Sequence, residues 1–298
     1  MPPHAIQVIA VFGPTASGKT AVAEALADRL GTEVVSADAL QVYRELPILT
    51  NQPTRATRLT AIRSAAETMS VGEYATLAHT EIDELVVAHG TAVVAGGTGL
   101  YLRAALADMR VPPAVPGEAR QRWEQAYDSN AGAAFDELER RDPKAAATVH
   151  PNDRRRVVRA LELSEVGASL APESDRLWAG APRRRTLVVG LVVPPAELER
   201  RIRERTRRMF DDGVVDEVRR ALATGVSRTA EKALGLQEIA SLPPAEALER
   251  VVVRTRQYAS YQRKWMRRIP GLVCIEALRD PAAIADGILA LAASHAGD

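Results

Sequence analysis

One stretch near the N-terminus limits the fold more than any other. A short apolar run, Ile6–Phe12, leads into Gly13-Pro14-Thr15-Ala16-Ser17-Gly18-Lys19-Thr20, and a helical pattern, Thr20–Leu30, follows at once. Strand, Gly-x-x-x-x-Gly-Lys-Thr and helix in that order make a phosphate-binding loop. Gly13 and Gly18 let the backbone curl so that successive N–H groups face an anion, and the helix adds its positive end. Lys19 is placed to reach phosphate oxygens as a point charge, and the Thr20 hydroxyl to ligate Mg²⁺. A glycine-rich turn with a stray lysine would not explain the flanking strand and helix. The loop therefore predicts a bound diphosphate or triphosphate. It names the group held and leaves the reaction open, since kinases, hydrolases and transferases share it.

Further apolar runs of strand character are Glu33–Ser36, Thr91–Ala95 and Thr186–Val193, with another short one at Leu272–Ile275. Helical patterns lie between them: Tyr74–His89, then Ala196–Arg208 continuing into Val214–Ala223. This alternation predicts an α/β fold, a P-loop NTPase-like parallel sheet flanked by helices. Between residues 113 and 182 the pattern is helical only (Gly117–Asp128, Ala131–Arg140, Arg154–Val166), punctuated by Pro112, Pro113, Pro116 and the run 180–182. An all-helical insertion over 113–182 is expected, within a catalytic core made of 1–112 and 183–298.

Net charge is only +1 over 298 residues, but its distribution is uneven. Arginines crowd at 154–156 with Arg159, at 183–185, at 200–208 and at 263–268, while acidic residues gather over 73–84. Such segregation suits a polyanion footprint. Surface arginines paired with glutamates would read the same way, so charge alone leaves both open. The single cysteine, Cys274, excludes an internal disulfide and, set between Val273 and Ile275, reads as a buried thiol. No apolar run approaches a membrane span, and the first strand follows the N-terminus directly, so no leader and a cytoplasmic location are expected.

Two further segments carry chemistry. The second strand ends in Ser36-Ala37-Asp38, and in a P-loop sheet its C-terminal end lies near the phosphate site. A carboxylate there serves as a base or holds metal-bound water, although an Asp in that position also caps helices. Gly96-Gly97-Thr98-Gly99, after the third strand, allows close approach of a ligand to the backbone and offers one hydroxyl.

Five ordered motifs together, Gly13–Thr20, Ser36-x-Asp38-x-x-Gln41-x-Tyr43-Arg44, Gly96-Gly97-Thr98-Gly99-Leu100-Tyr101, His150-Pro151-Asn152-Asp153-x-x-Arg156-x-x-Arg159-Ala160-Leu161-Glu162 and Arg201-Ile202-x-x-Arg205-x-x-x-Met209-x-x-x-Gly213, span most of the chain. They resemble the bacterial tRNA dimethylallyltransferases. The resemblance implies transfer of a dimethylallyl group from dimethylallyl diphosphate to N6 of the adenosine 3′-adjacent to the anticodon of tRNA. It implies that Gly13, Pro14, Thr15, Ala16, Ser17, Gly18, Lys19 and Thr20 hold the diphosphate with Mg²⁺ on Thr20. Asp38 would take the N6 proton and Arg205 would reach the diphosphate; Arg201 and Arg208 on the same helix read as solvated or ion-paired. The tRNA contacts so implied are Asp38, Ala39, Leu40, Gln41 and Thr98 for the target nucleotide, and Arg120, Arg155, Arg156 and Arg159 on the insertion. The partners are then the tRNA anticodon loop and dimethylallyl diphosphate, with no membrane, and the chain is expected to act as a monomer.

The sequence departs from the family pattern at Ala39 (usually Ser), at Gln52 (usually Lys), at Leu236 in Gly235-Leu236-Gln237 (usually Tyr) and at Ser260-Tyr261 (usually Lys-Arg). These changes leave the phosphate loop intact and bear on which tRNA set or prenyl donor is preferred. The alternatives are a small-molecule kinase, which needs an arginine-rich lid and an adenine pocket for ATP, and a prenyltransferase acting on a free adenine nucleotide. A non-catalytic RNA-binding protein would be expected to have lost Lys19, Thr20 or Asp38.

Overall fold

The strand β1 (Val8–Phe12) is buried along its whole length, and an all-apolar strand of that kind belongs in the middle of a sheet covered on both faces. The computed structural model describes residues 5–108, 115, 117–170 and 181–295. In it β1 is central. The other strands are β2 (Val34–Ser36), β3 (Ala92–Gly96), β4 (Thr186–Val192) and β5 (Val273–Glu276), in the order β2-β3-β1-β4-β5. All pairings are parallel. The chain leaves β1 toward one edge and returns to β4 on the other side, so the C-terminal end of β1 is a topological switch point, where α/β sheets bind ligands.

Three helices bracket the strand ends: α1 (Lys19–Leu30), the one-turn α2 (Pro47–Thr50) and α3 (Val71–His89). A capping box between Ser70 and Glu73 fixes the start of α3. The helix α4 (Gly99–Leu106) follows β3. One compact unit comprises Met1–Met109 with Gly180–Asp298, the other Arg110–Ala179. The first unit's core joins Ile9, Val11, Leu26, Val93, Val189 and Ile202. At roughly 1.5–3 kcal/mol for each large apolar side chain buried, such a core supplies most of the gross driving force.

The second unit contains α5 (Gly117–Ser129), α6 (Ala131–Arg141), α7 (Pro143–Ala146) and α8 (Arg154–Glu165). Leu138, Val157, Val158 and Leu161 pack at its centre. Pro112, Pro113, Pro116 and Gly180 lie outside the described residues. After β4 the first unit resumes with α9 (Pro195–Asp211), α10 (Val214–Thr224), α11 (Leu236–Ser241), α12 (Pro244–Met266) and α13 (Pro281–Ser294). None of the described helices is long and apolar enough to cross a membrane.

The second strand is separated from the first by β3, and its C-terminal end still reaches the phosphate loop. One expectation, that of a buried Cys274, is corrected. Cys274 is exposed rather than buried, since β5 is an edge strand whose residues alternate between half-buried and exposed. The charge clusters also resolve. Arg183 and Arg184 both bond Asp83, at 3.1 and 3.0 Å, so the acidic run faces one of the basic ones. Arg200 pairs with Glu197 and Glu204, and Arg203 with Glu249. Much of the apparent polyanion footprint is therefore spent on internal ion pairs.

Candidate active site

Register brings three loops to one place. Phe12 stands opposite Gly96, and Ser36 opposite Ala95, so β1, β2 and β3 end level. Gly13, Asp38 and Gly97 consequently leave the sheet side by side, although the sequence separates them by tens of residues. The loop after β1 closes with Ser17 N–H donating to the Pro14 carbonyl at 3.1 Å. Gly18 adopts φ +86° immediately before α1, a left-handed conformation that glycine takes without a Cβ penalty. Ala16 holds φ +63° without that freedom, a strain of the sort kept at functional turns.

Lys19 and Thr20 begin α1 and face a cavity that Asp38, Arg205, Tyr258 and Gln262 also line. A second cavity, on the β2 side, again has Lys19, Thr20 and Asp38 in its wall. Burial draws the Lys19 ammonium down to about 8, against the opposing pull of the Asp38 carboxylate. Arg205, reaching in from α9, donates to the Thr15 hydroxyl. Burial lowers its guanidinium to about 10, again partly offset by Asp38. Two cations held in a partly desolvated cavity are stabilised by an anion between them. Asp38 itself closes a turn, its Oδ1 accepting from Leu40 N–H at 3.0 Å. No helix starts here, so the contact braces a turn instead of capping a helix, and it engages one carboxylate oxygen.

Not every expected substrate contact faces the cavity unencumbered. Leu40 and Gln41 line it, but the Gln41 side chain accepts from the Ser36 hydroxyl at 2.8 Å and donates to the Asn51 carbonyl at 2.9 Å. Gln52, in place of the customary lysine, braces the same segment by donating to the carbonyls of Gln41 and Tyr43. Ala39 is half-buried in the turn between Asp38 and Leu40. The Thr98 hydroxyl does not cap α4; it lies 3.3 Å from the Tyr258 hydroxyl. Arg201 is tied to Glu197 at 2.6 Å, whereas Arg208 is exposed beside the phosphate loop.

In the second unit, Arg120 and Arg159 both reach Glu162, a carboxylate that is only 1% exposed, at 3.4 and 2.9 Å. Arg155 and Arg156 are exposed on the first turn of α8. Among the described residues neither has an ion-pair partner, so these two offer the uncommitted charge.

Sequence reasoning assigned no role to Gln262. Its Oε1 accepts from Thr15 N–H at 2.8 Å and its Nε2 donates to the Gly97 carbonyl at 2.8 Å, so one amide ties the loop after β1 to the loop after β3. Gly97 permits this approach, because a Cβ there would stand 2.3 Å from the Gln262 nitrogen. The only signal in the sequence was a glutamine three residues before Trp265. Gln262→Leu keeps the volume but leaves two buried backbone groups unpaired. We expect a loss of about 2–6 kcal/mol in urea unfolding, at about 1–3 kcal/mol per orphaned group. Tyr258 was also missed; burial, reinforced by Asp38, pushes its phenol up to about 12.

A parallel sheet with a phosphate loop at its switch point defines a P-loop protein of the doubly wound α/β class, here carrying a separate helical unit. The sequence matches the family model for IPP transferase over residues 41–269 and that for isopentenyl transferase over residues 6–65. It is 38% identical to a tRNA dimethylallyltransferase of Rhodococcus jostii, over 87% of this chain and 88% of that one. A tRNA dimethylallyltransferase of Bifidobacterium longum subsp. infantis is 35% identical, over 98% and 93%. Among solved structures, the tRNA isopentenylpyrophosphate transferase of Bacillus halodurans superposes with a TM-score of 0.69 at 28% identity, covering 98% of both chains. A eukaryotic dimethylallyltransferase shares the fold, with a TM-score of 0.73 at 23% identity, covering 92% of this chain and 74% of that one. The chain belongs to the tRNA dimethylallyltransferase family.

Proposed function

We propose that this protein transfers a dimethylallyl group from dimethylallyl diphosphate to N6 of the adenosine 3′-adjacent to the anticodon in tRNA, releasing diphosphate. One observation carries the reading: a single cavity holds Lys19, Thr20, Arg205 and Asp38 together with the apolar side chains of Leu49, Met209, Leu234 and Val251. Cations suit the diphosphate, the apolar group suits a five-carbon chain, and the carboxylate suits an amine that must lose a proton.

In the reaction the bond between the allylic carbon and the diphosphate oxygen breaks, and its electron pair leaves with that oxygen. The uncapped N–H groups at the start of α1, with the Lys19 and Arg205 side chains, oppose the growing charge, a kind of stabilisation that is often the largest single contribution to catalysis. The N6 lone pair attacks the vacated carbon, and Asp38 accepts the proton through the carboxylate oxygen not used in its turn. An adenine stacked in an anticodon loop cannot present N6 inside a cavity, so the nucleotide must swing out, at a cost of a few kcal/mol in a single-stranded loop. Exposed Arg155 and Arg156 suit phosphate contacts that position the RNA without reading its sequence. Arg120 and Arg159 then act by holding α8 through Glu162.

The site also fits Mg²⁺. The Ser17 hydroxyl is buried without a hydrogen-bond partner, and Thr20 offers a second hydroxyl to the cavity. No cluster of three acidic, His or Cys side chains suited to a metal occurs among the described residues. The ion would rest on Thr20, phosphate oxygens and water, a donor set that Mg²⁺ accepts. When bound it would add positive charge beside the departing diphosphate.

The deciding experiment incubates unmodified tRNA with dimethylallyl diphosphate and Mg²⁺ and analyses the nucleosides by mass. N6-dimethylallyladenosine is expected; ATP-dependent phosphoryl transfer with no prenylated nucleoside would overturn the assignment. The acidity of Lys19 gives a further expectation. Below about pH 8 it is charged and attracts diphosphate, and as pH rises through 8 that attraction fades. Inorganic diphosphate followed by calorimetry should bind progressively more weakly above pH 8, and Lys19→Ala should remove that limb of the profile.

A further inference from the structure

We infer that Tyr261 and Trp265 form a stacking platform for an unpaired RNA base next to the adenosine that enters the cavity. This rests on the function proposed above and adds the class of group that one face of α12 takes. Tyr258, Tyr261, Gln262 and Trp265 recur at spacings of three and four, so they share a face of that helix. Tyr258 and Gln262 line the cavity. Trp265, one turn further, packs on Gly99, where an added Cβ would stand 2.5 Å from the indole Cε3. Tyr261 meets Trp265 edge-on, ring centroids 6.3 Å apart at 77°, yet it keeps 54% of its surface exposed.

The setting of that ring identifies its occupant. Arg254 and Arg256, earlier on the same helix, are paired with Glu238 and Glu199. Lys264, Arg267 and Arg268, exposed around the end of α12, have no carboxylate partner among the described residues. Cations near a helix C-terminus complement its dipole, but that does not account for an aromatic ring held open to water among them. Aromatic faces bordered by unpaired cations are what single-stranded nucleic acid requires, because bases stack on the rings and phosphates follow the charge. A duplex would present no free base face. A protein partner would call for a broader apolar patch than one tyrosine and the edge of one indole. Ser260 and Tyr261 stand where the family pattern has Lys-Arg. The exchange puts an aromatic ring where the pattern has a cation.

The test uses the full chain and anticodon stem-loop RNAs carrying 2-aminopurine on one side or the other of the target adenosine. In the complexes with wild type, Tyr261→Phe and Tyr261→Trp, one of the two probes should be quenched; with Tyr261→Ala it should stay bright. KM for the RNA should rise about tenfold in Tyr261→Ala, the scale of one lost base–aromatic stack. Its kcat and its KM for dimethylallyl diphosphate should not change, which also shows that the variant is folded. Tyr261→Arg should restore affinity without restoring the quench, and should steepen the salt dependence by about 0.7 for one added single-strand phosphate contact. Wild-type quenching and KM in Tyr261→Ala would overturn the inference and leave this face to a protein partner. Failure of the wild type to prenylate either RNA would instead remove the function on which it rests.

Discussion

Asp38→Ala should lower turnover by about 10²- to 10⁴-fold, the usual contribution of a positioned general base, while tRNA affinity is retained. The alanine also deletes the acceptor for Leu40 N–H, so a fall in rate could come from a loosened turn. Asp38→Asn separates the two effects. Its amide oxygen can still accept from Leu40, but it cannot take a proton from N6, and it should be nearly as slow as the alanine. Both substitutions also remove the negative charge that supports protonation of Lys19 and Arg205. Loss of that support lowers Lys19 further, whereas the diphosphate no longer meets a like charge nearby, so the two effects on its affinity oppose each other. Single-turnover rates set beside filter-binding constants for tRNA and diphosphate would resolve these contributions. Wild-type turnover in Asp38→Asn would end the assignment of this residue as the base.

Arg205→Lys should cost about 10²- to 10³-fold in kcat, comparable with removing one preorganised donor from an oxyanion site. The charge survives in this variant; the planar fork does not. Arg205 donates to the Thr15 hydroxyl and still has N–H groups to offer a phosphate, whereas an ammonium presents a point charge with no fixed direction. Thr15 is also held through its backbone by Gln262, so losing the Arg205 contact should leave the loop folded and the sheet intact. The measurements are kcat, KM for dimethylallyl diphosphate and product inhibition by diphosphate. A rise in KM alone, with kcat untouched, would place Arg205 in ground-state binding instead.

The local parts of this molecule were readable because they follow from local rules. Ile6–Phe12 is apolar but for Gln7 and is followed by Gly13, and β1 is observed at Val8–Phe12. The helical segment expected at Arg154–Val166 is found at Arg154–Glu165. Strand order was not readable in the same way. Nothing in Glu33–Ser36 specifies that β3 will slot between it and β1, because that pairing depends on segments far away in the chain. Cys274 was misjudged for a related reason, since a short apolar run does not reveal whether its strand lies at the centre or the edge of a sheet. Gln262 and Tyr258 escaped because their meaning is entirely tertiary. A glutamine in a long polar helix looks like solvated surface until Thr15 and Gly97 are seen on either side of it. The arginines could not be resolved from composition. Their clustering left a polyanion footprint and internal pairing both open, and Arg183, Arg184, Arg200 and Arg203 prove to be neutralised within the fold.

The amide bridge from Gln262 spans 247 residues to Thr15 and 165 to Gly97. During synthesis, then, the first functional segment to leave the ribosome is among the last to be finished. A nascent chain that has not yet delivered α12 can pair β1 with β3, yet it lacks the part that sets the loop between β1 and α1. Competence to grip an anion is therefore coupled to near-completion of the polypeptide, and a fragment released early would carry the signature motif without its use.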